Sequence, residues 1–513
     1  MIKFSKIVRD LKEYLFGKEQ KKSPTLPAEP LPMVATPKKL NGSKIHSPPQ
    51  TEIPTPRSES RISAPSAPRQ PYFVQIGFDF GTSFSKCVCR DIMTERAWVH
   101  IPPKCAQEDL PFLIPGAMVV KDECLSIVQS PACHYPENGL YHLKHALVKT
   151  ALEQWYDTVL DPYRSAFGSE EPDKLGPFVV SCAVYYLAGA LGEARSQIRS
   201  RIQGFGSTPE DYMAVNMAVP VADAEHPEVN VLFHRILCEA WMLADKITGH
   251  PTIRLSALAS LRSTHNHKVT PSVAEACYIY PEVSANVQGF VRSRVSSPGF
   301  YLFSDTGAGT VDQSIFIFSR LDNGEFLTYL HGHVLPLGSS QIEQRAALCT
   351  GRVDCQTLEY WRVLKEQNGM RPELREAQDW IASKLSQGTE ATLAHAKQKL
   401  FVRDQLNDTR VIFGGGGHCE HPYKSAVISP FSGQLFRKSF VPDVVSLPPP
   451  HDLELSDAEI RWMKRLSVAY GLSFPKNDLA GFIFPGDIPP PDPGAPVLPV
   501  RKVIPDAPTK DQC

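Results

Sequence analysis

Three things that this 513-residue chain lacks limit its function before any motif is considered. Charge of one sign is lacking: 54 Lys and Arg face 55 Asp and Glu, so no bulk field favours nucleic acid. A long apolar run is lacking at the N-terminus, where residues 1–22 are too short and too charged for a signal peptide or a membrane span. A disulfide framework is lacking, because the 12 cysteines are scattered behind no secretory signal. We therefore expect a cytoplasmic chain with reduced thiols.

Residues 1–22 are predicted to form an amphipathic helix. They carry seven Lys and Arg against three Asp and Glu. Three interpretations stay open: the helix lies on an anionic membrane surface, docks on a partner protein, or packs on its own domain. The apolar residues recur at helical spacing: Phe4, Ile7, Val8, Leu11 and Leu15.

Proline concentrates at the two ends of the chain. Residues 23–71 hold twelve of the 46 prolines and almost no aromatic residues, which is typical of a disordered tether. Residues 485–513 hold nine more and are predicted to be a disordered tail. The alternative for the tail is a ligand for a polyproline groove, because four of its prolines are three residues apart: Pro490, Pro493, Pro496 and Pro499.

The body between these ends alternates strand and helix patterns, which predicts an α/β architecture. Apolar strand patterns lie at 72–90, 177–190, 211–221, 301–318, 327–337 and 409–414. Helical patterns lie at 141–155, 229–248, 339–350, 355–367, 372–402 and 455–471.

The most informative segment is IGFDFGTSFSK, from Ile76 to Lys86. An apolar strand ends in Asp79, and a turn follows that contains Gly81, Thr82 and Ser83. Glycine lets the backbone approach an oxyanion, so that successive N–H groups can point at a phosphate. The adjacent acid could hold a hydrated divalent cation.

A second segment of the same kind, YLFSDTGAGTVDQSIFIF, begins at Tyr301. Its strand ends in Asp305, its turn contains Gly307, Gly309 and Thr310, and Asp312 stands near the start of the next strand.

A third glycine element, VIFGGGGH, is a short strand that runs into Gly414, Gly415, Gly416 and Gly417 and is predicted to begin a helix. Together the three elements predict a nucleotide held between two similar halves.

Two cysteine-containing clusters have simpler interpretations. Cys87 and Cys89 fall on one face of a predicted strand, so we expect buried small side chains. His418, Cys419 and His421 resemble metal ligands only superficially, because no second pair at zinc-site spacing accompanies them.

These motifs resemble those of the superfamily that contains actin, sugar kinases and the DnaK-type seventy-kilodalton heat-shock chaperones. SDTGAGTVDQSIF is most similar to the chaperone pattern acid-x-Gly-Gly-Gly-Thr-x-Asp, with Ala308 in place of the middle glycine. The resemblance covers residues 72–480. It implies a two-lobed actin-like ATPase fold of duplicated ribonuclease-H-like subdomains, with lobes at 72–298 and 299–484.

Further segments match the chaperones with some departures. YHLKHALV is similar to the segment that supplies their active-site lysine, here Lys144. YPEVSANVQGF places Glu282 at their interdomain acid, although Val283 stands where they have proline. The adenine-facing helix is not clearly matched, with Lys384 and Ser386 as weak candidates. Only some thirty proline-rich residues follow the body, so we expect no standard peptide-binding domain.

The resemblance implies a role for each matched residue. Asp79 and Asp305 would hold Mg²⁺ through its waters, and Lys144 would neutralise charge on the terminal phosphate of ATP. Glu282, Asp305 and Asp312 would orient the attacking water. The remaining matched residues would contact the nucleotide: Gly81, Thr82, Ser83, Gly307, Gly309 and Thr310 its phosphates, and Gly414, Gly415, Gly416 and Gly417 its nucleoside.

Several functions are compatible with such a site. The resemblance favours a slow Mg-dependent ATPase whose ATP or ADP state controls protein partners, which would bind the N-terminal helix or the proline-rich segments. The alternatives are an actin-like filament or membrane-associated scaffold and a nucleotide-binding pseudoenzyme. A small-molecule kinase is less favoured, because no sugar site or separate catalytic base is recognisable.

Overall fold

Strands and helices alternate through the body of the chain, and the architecture is mixed α/β, as the sequence predicts. The computed structural model describes residues 69–488 except 131–133, 170, 221–225, 266–268, 294–295, 322–323, 401–402, 437–438 and 448. The predicted N-terminal helix, nearly all of the proline-rich tether and the tail from residue 489 lie outside the described residues.

The strands are numbered in chain order. They are β1 Phe73–Asp79, β2 Phe84–Asp91, β3 Arg96–Val99, β4 Ile114–Pro115, β5 Met118–Lys121, β6 Cys124–Ile127, β7 Gly139–Leu140, β8 Tyr212–Val219, β9 Thr252–Arg254, β10 Cys277–Pro281, β11 Gly299–Thr306, β12 Val311–Leu321, β13 Gly324–Leu335, β14 Arg410–Gly414, β15 Val444–Val445, β16 Leu453–Glu454 and β17 Gly481–Ile483.

The α-helices are numbered in the same way. They are α1 Leu143–Ala151, α2 Asp161–Phe167, α3 Pro172–Arg201, α4 Pro227–Ile247, α5 Leu255–His265, α6 Pro271–Ala276, α7 Glu282–Asn286, α8 Gln288–Val291, α9 Ser340–Cys349, α10 Cys355–Glu366, α11 Pro372–Gln398, α12 Tyr423–Ile428 and α13 Met463–Leu472.

Two of the sheets share one topology. In the first sheet the order is β10-β8-β1-β2-β3-β16, and in the second it is β15-β14-β11-β12-β13-β17. In both, three antiparallel strands that follow one another in the chain are extended by two later strands running parallel to the first of the three. A smaller antiparallel sheet has the order β7-β5-β6-β9. The strand arrangement of the first sheet is thus repeated in the second.

Both predicted hairpins form, and each sets an acid at the end of its first strand. β1 pairs with β2 so that Asp79 lies opposite Lys86. β11 pairs with β12 so that Asp305 lies opposite Asp312. Nearly every residue of β1 and β11 is buried, which explains why these strands appear in the sequence as continuous apolar runs rather than as alternating patterns.

The predicted strand at 177–190 is wrong, because these residues belong to α3. The helix buries residues around nearly its whole circumference against α4 and the first sheet, so its sequence shows no polar face. A continuous apolar run does not distinguish a buried strand from a buried helix. By length and composition α3 could also cross a membrane, but 83% of its most apolar stretch is buried inside the fold.

The other patterns correspond to elements of the predicted type, with shifted ends. The helix predicted from residue 455 begins as α13 at Met463, after a short 3₁₀ turn. The glycine element after β14 leads into one 3₁₀ turn, Gly417–Cys419, rather than directly into an α-helix. Cys87 and Cys89 are fully buried, and their sulfur atoms are 4.0 Å apart.

Helix α13 packs directly on β1, the strand that carries Asp79. A Cβ atom added to Gly77 would lie 2.1 Å from the carbonyl oxygen of Ala469 and 2.4 Å from the backbone nitrogen of Ser473. Both contacts are with backbone, so neither can be relieved by rotating a side chain. Gly77 is therefore required for the close approach of helix and strand.

We expect Gly77→Ala to destabilise the protein by about 1–3 kcal/mol, the usual cost of overpacking a core. Urea unfolding measures this. Gly289→Ala is the matched control, because its Cβ would meet only the Tyr470 ring at 3.5 Å, an ordinary contact. Equal stability of the two variants would contradict the packing of α13 on β1.

Candidate functional site

A solvent-connected cleft lies where the turns that follow β1 and β11 approach each other. It encloses about 1390 Å³ when counted out to its open mouth. Every residue to which the resemblance assigns a role lines this cleft except Gly309 and Gly414. Residues separated by more than three hundred positions in the chain are thus brought together at one place.

Asp79 is buried at the end of β1 and is only partly satisfied. Its Oδ2 accepts a hydrogen bond from Lys86 Nζ at 2.9 Å across the hairpin. Its Oδ1 has no hydrogen-bond partner among the described residues. A buried carboxylate oxygen without a donor is costly in a folded protein, and a hydrated cation would satisfy it.

Asp305 is the corresponding acid of the second hairpin. Its Oδ2 accepts from Asn286 Nδ2 at 2.6 Å. Burial, followed by the negative charges of Glu282 and Asp79, raises the pKa of Asp305 to about 7. The site therefore holds a carboxyl group whose charged form is disfavoured until a cation approaches.

Asp312 lies opposite Asp305 at the start of β12 and is also buried. Thr310 donates its hydroxyl to Asp312 Oδ2 at 2.8 Å, whereas Oδ1 has no partner in the described part of the chain. Burial and then the charge of Glu282 raise the pKa of Asp312 well above its usual value. Burial thus disfavours the charged form of Asp312, and the neighbouring charge of Lys144 counteracts this effect.

Lys144 projects from α1 among these acids. Its Nζ lies 2.5 Å from Glu282 Oε2 at the start of α7. Burial acts to lower the pKa of Lys144, but the charges of Glu282, Asp312 and Asp79 outweigh burial and hold the pKa above its ordinary value. Lys144 therefore stays charged and is already paired.

The two turns touch each other. A Cβ atom on Gly309 would lie 2.8 Å from Thr82 Cγ2 and 2.8 Å from His145 Cε1, which explains why this position needs glycine although it does not line the cleft. The second turn is fixed from behind, because Gly338 donates its N–H to Gly309 at 3.1 Å. A ligand between the turns would meet a preformed wall.

In the structure, a side chain on Gly414, Gly415 or Gly417 would collide with the protein itself. Gly415 has a φ of 69°, and a Cβ atom there would lie 2.3 Å from Asp305 Oδ1. A Cβ atom on Gly414 would meet Asn286 Nδ2 at 2.6 Å, and one on Gly417 would meet Thr306 Cγ2 at 2.7 Å. At these three positions other atoms of the protein already occupy the place of a Cβ atom, so the absence of a side chain does not by itself require a nucleoside.

Sequence reasoning missed a group on α10. Lys365 is buried, lies 2.8 Å from Glu343 Oε2 and 3.4 Å from Glu420 Oε2, and lines the cleft together with Arg362. The sequence shows only that Arg362 and Lys365 are three residues apart and therefore lie on one face of a helix. It does not show which residues pack against that face. Lys384 and Ser386, the weak candidates for the adenine-facing helix, lie on α11 and do not line the cleft.

His145 was also missed, although it follows Lys144 directly. It lines the cleft beside the contact between Thr82 and Gly309. Burial first, and then the positive charges of His142 and Lys144, lower the pKa of His145 to about 3. The ring is thus neutral at physiological pH and does not add to the positive charge of Lys144.

The donor set suits magnesium better than a transition metal. No group of three or more His, Cys, Asp or Glu side chains that could hold a metal ion exists within the described ranges, so no dedicated protein cage is available there. Mg²⁺ usually keeps several waters and binds through one or two carboxylates plus substrate phosphates. Asp79, with its unsatisfied oxygen, and Asp305 fit this requirement.

A scan of the chain against models of protein families finds no match. A search of curated proteins also finds no relative.

Asp305→Asn is expected to stabilise the ligand-free protein at pH 8. Because the folded-state pKa is raised above the usual value, the folded protein retains a proton that the unfolded chain has lost, so wild-type stability falls as the pH rises from about 4 to 7. The asparagine at position 305 carries no charge to bury. The Asn286 amide can turn so that its Oδ1, which has no partner among the described residues, accepts a hydrogen bond from the new amide.

Urea unfolding in EDTA at pH 5 and pH 8 measures this effect. The variant should exceed the wild type by about 1–3 kcal/mol at pH 8, with a smaller difference at pH 5. The control is Asp379→Asn on the exposed side of α11, which should follow the wild type at both pH values. A pH-independent difference for Asp305→Asn would show that the carboxyl is ionised throughout.

Proposed function

We propose that the cleft binds a magnesium complex of ATP or ADP and that the nucleotide state controls the affinity of the chain for protein partners. One observation carries the proposal: two acid-tipped hairpin turns from different sheets meet at one cleft, with a charged lysine between their acids. Glycine turns suit phosphates, the acids suit Mg²⁺, and the lysine suits the negative charge that a metal leaves uncompensated.

The repeated sheet topology supports the wider family proposal. Each sheet has the same order and strand directions, and each sets its acid at the end of the first strand of its hairpin. Such a repeat is what a duplicated ribonuclease-H-like unit in a two-lobed actin-like ATPase would require. We infer that the chain is a distant member of the actin and heat-shock chaperone superfamily and uses a DnaK-type nucleotide site.

Different residues would bind the metal and the phosphates. Asp79 and Asp305 would hold the hydrated metal, while the backbone N–H groups around Thr82 and Gly307 donate to phosphate oxygens. Mg²⁺ would supply neutralisation of the phosphate charge. Lys144 would donate to the terminal phosphate, which requires that its contact with Glu282 loosen or be shared.

Slow hydrolysis is the expected consequence of this arrangement. Lys144 is already paired with Glu282, so this contact must be broken or shared before the lysine can stabilise the charge that develops on the phosphate. A site that retains its nucleotide for a long time suits a switch, whose output is a difference in partner affinity between two states. The partner-facing parts would be the N-terminal helix and the proline-rich segments.

The same pairing favours a second candidate, a nucleotide-binding pseudoenzyme. If the 2.5 Å contact between Lys144 and Glu282 persists in the complex, both residues stay occupied. The γ-phosphate would then lack a contact with Lys144, and the attacking water would lack Glu282 as an acceptor. Such a protein would bind ATP without releasing phosphate.

Calorimetric titration with ATP tests the binding proposal. We expect Mg²⁺ to tighten the affinity of the wild type at least about 10-fold, and Asp305→Asn to abolish that gain because one metal-holding carboxylate is lost. Asp379→Asn is again the control. Mg-dependent affinity that survives Asp305→Asn would refute the assignment of the metal site, and a wild type without ATP affinity would refute the nucleotide proposal.

Phosphate release separates the switch from the pseudoenzyme. For an ATPase we expect a slow turnover that falls about 100-fold in Lys144→Met, with ATP affinity changed much less, because the lysine acts on the developing charge. The measurement is single-turnover hydrolysis with size determination in ATP and in ADP. No release by the wild type would favour the pseudoenzyme, and nucleotide-dependent growth in size would favour the filament.

A further inference from the structure

The charged residues that line the cleft are unevenly paired. Four of its cations each contact at least one carboxylate: Lys86, Lys144, Arg362 and Lys365. Asp305 and Asp312 are the acids of the cleft that have no ion pair among the described residues, and of these Asp305 would contact the proposed metal. Lys464 and Arg465 line the cleft as well, and neither contacts a carboxylate of the residues that the structure describes.

Arg465 has no hydrogen-bond or ion-pair partner in the part of the chain that the structure describes. It is half-buried in the first turn of α13 and lines the cleft. Its neighbour Lys464 donates to the thiol of Cys419 at 3.5 Å, a weak contact for an ammonium group. A guanidinium that is partly removed from water and has no acceptor among the described residues is available to bind an anion.

The guanidinium lies against the glycine turn after β14. A Cβ atom on Gly416 would be 2.5 Å from both Arg465 Cζ and Arg465 Nη1. One residue earlier, a Cβ atom on Gly415 would be 2.3 Å from Asp305 Oδ1. The same short turn therefore has Arg465 against Gly416 and Asp305, an acid without an ion pair among the described residues, against the residue before it.

This arrangement matches a ligand in which a metal ion and an anion are neighbours. The metal of a metal–phosphate complex would neutralise Asp305, and a phosphate oxygen that does not contact the metal would face Arg465. An arginine suits this role because its planar group can donate two parallel hydrogen bonds to a phosphate.

We propose that Arg465 is a phosphate-binding residue of the cleft, which contacts a phosphate oxygen on the far side of the glycine turn from the metal. This inference rests on the proposed function and deepens it. Arg465 fixes where the phosphate chain runs, whereas Asp79 and Asp305 fix where the metal sits. Its contribution to affinity is therefore independent of Mg²⁺.

The test compares Arg465→Gln with Arg461→Gln by calorimetry on the full chain. Arg461 is exposed, lies four residues earlier in the 3₁₀ turn before α13, and does not line the cleft, so its variant removes the same charge from nearly the same place. The probes are ATP with Mg²⁺, ATP in EDTA, adenosine, and inorganic tripolyphosphate with Mg²⁺.

We expect Arg465→Gln to weaken ATP and tripolyphosphate about 10- to 100-fold, equally with Mg²⁺ and in EDTA for ATP, and to leave adenosine unchanged. Arg461→Gln should bind all probes as the wild type does. Arg465→Lys should recover part of the loss, and a thermal melt of each variant verifies folding.

Three results would overturn the inference. Unchanged or tighter ATP binding by Arg465→Gln would mean that the side chain only covers the glycine turn. An equal loss for adenosine would assign Arg465 to the nucleoside instead. A loss that appears only with Mg²⁺ would mean that it acts through the metal. The wild-type titrations test the proposed function separately: if the wild type binds ATP, only this inference is at stake, and if it binds neither ATP nor tripolyphosphate, both fail.

Discussion

The burial of several carboxylates around one lysine is the constraint on which the rest of the site depends. Asp79, Asp312 and Glu282 all act on Lys144, and their charges outweigh the cost of burying it. They come from β1, β12 and α7, while the lysine comes from α1, so the two sheets must be correctly apposed before the charges balance. Even then Asp305 and Asp312 have no ion pair among the described residues. The ligand-free site is accordingly poised for a further positive charge.

The local parts of this site could be predicted from the sequence. A buried strand that ends in an acid and is followed by glycine and threonine is a short, continuous pattern, and it occurs twice. The pairing of Asp79 with Lys86 follows from the hairpin alone. The assignment of α/β architecture needed only the alternation of patterns, and it is confirmed.

The sequence could not show which residues contact each other across the cleft. Lys365, Glu343 and Glu420 belong to three different segments, and nothing in any one of them indicates the other two. The strand predicted at 177–190 is wrong for a related reason, because a helix buried all round loses the periodicity that would identify it. Gly415, Gly416 and Gly417 line the cleft, but other atoms of the protein already occupy the places that their Cβ atoms would take.

The contact of α13 with β1 has a consequence for how the protein is made. The first sheet is begun by β1, one of the earliest strands of the body, but α13 and β16, which complete its packing and pairing, come from near the end of the body. On the ribosome, the apolar surface around Gly77 stays uncovered until almost the whole body has emerged. Contacts between such distant parts of a chain form slowly, and the exposed strand is meanwhile prone to aggregation. Newly synthesised chains should therefore depend on a holding chaperone far more than refolded full-length chains do.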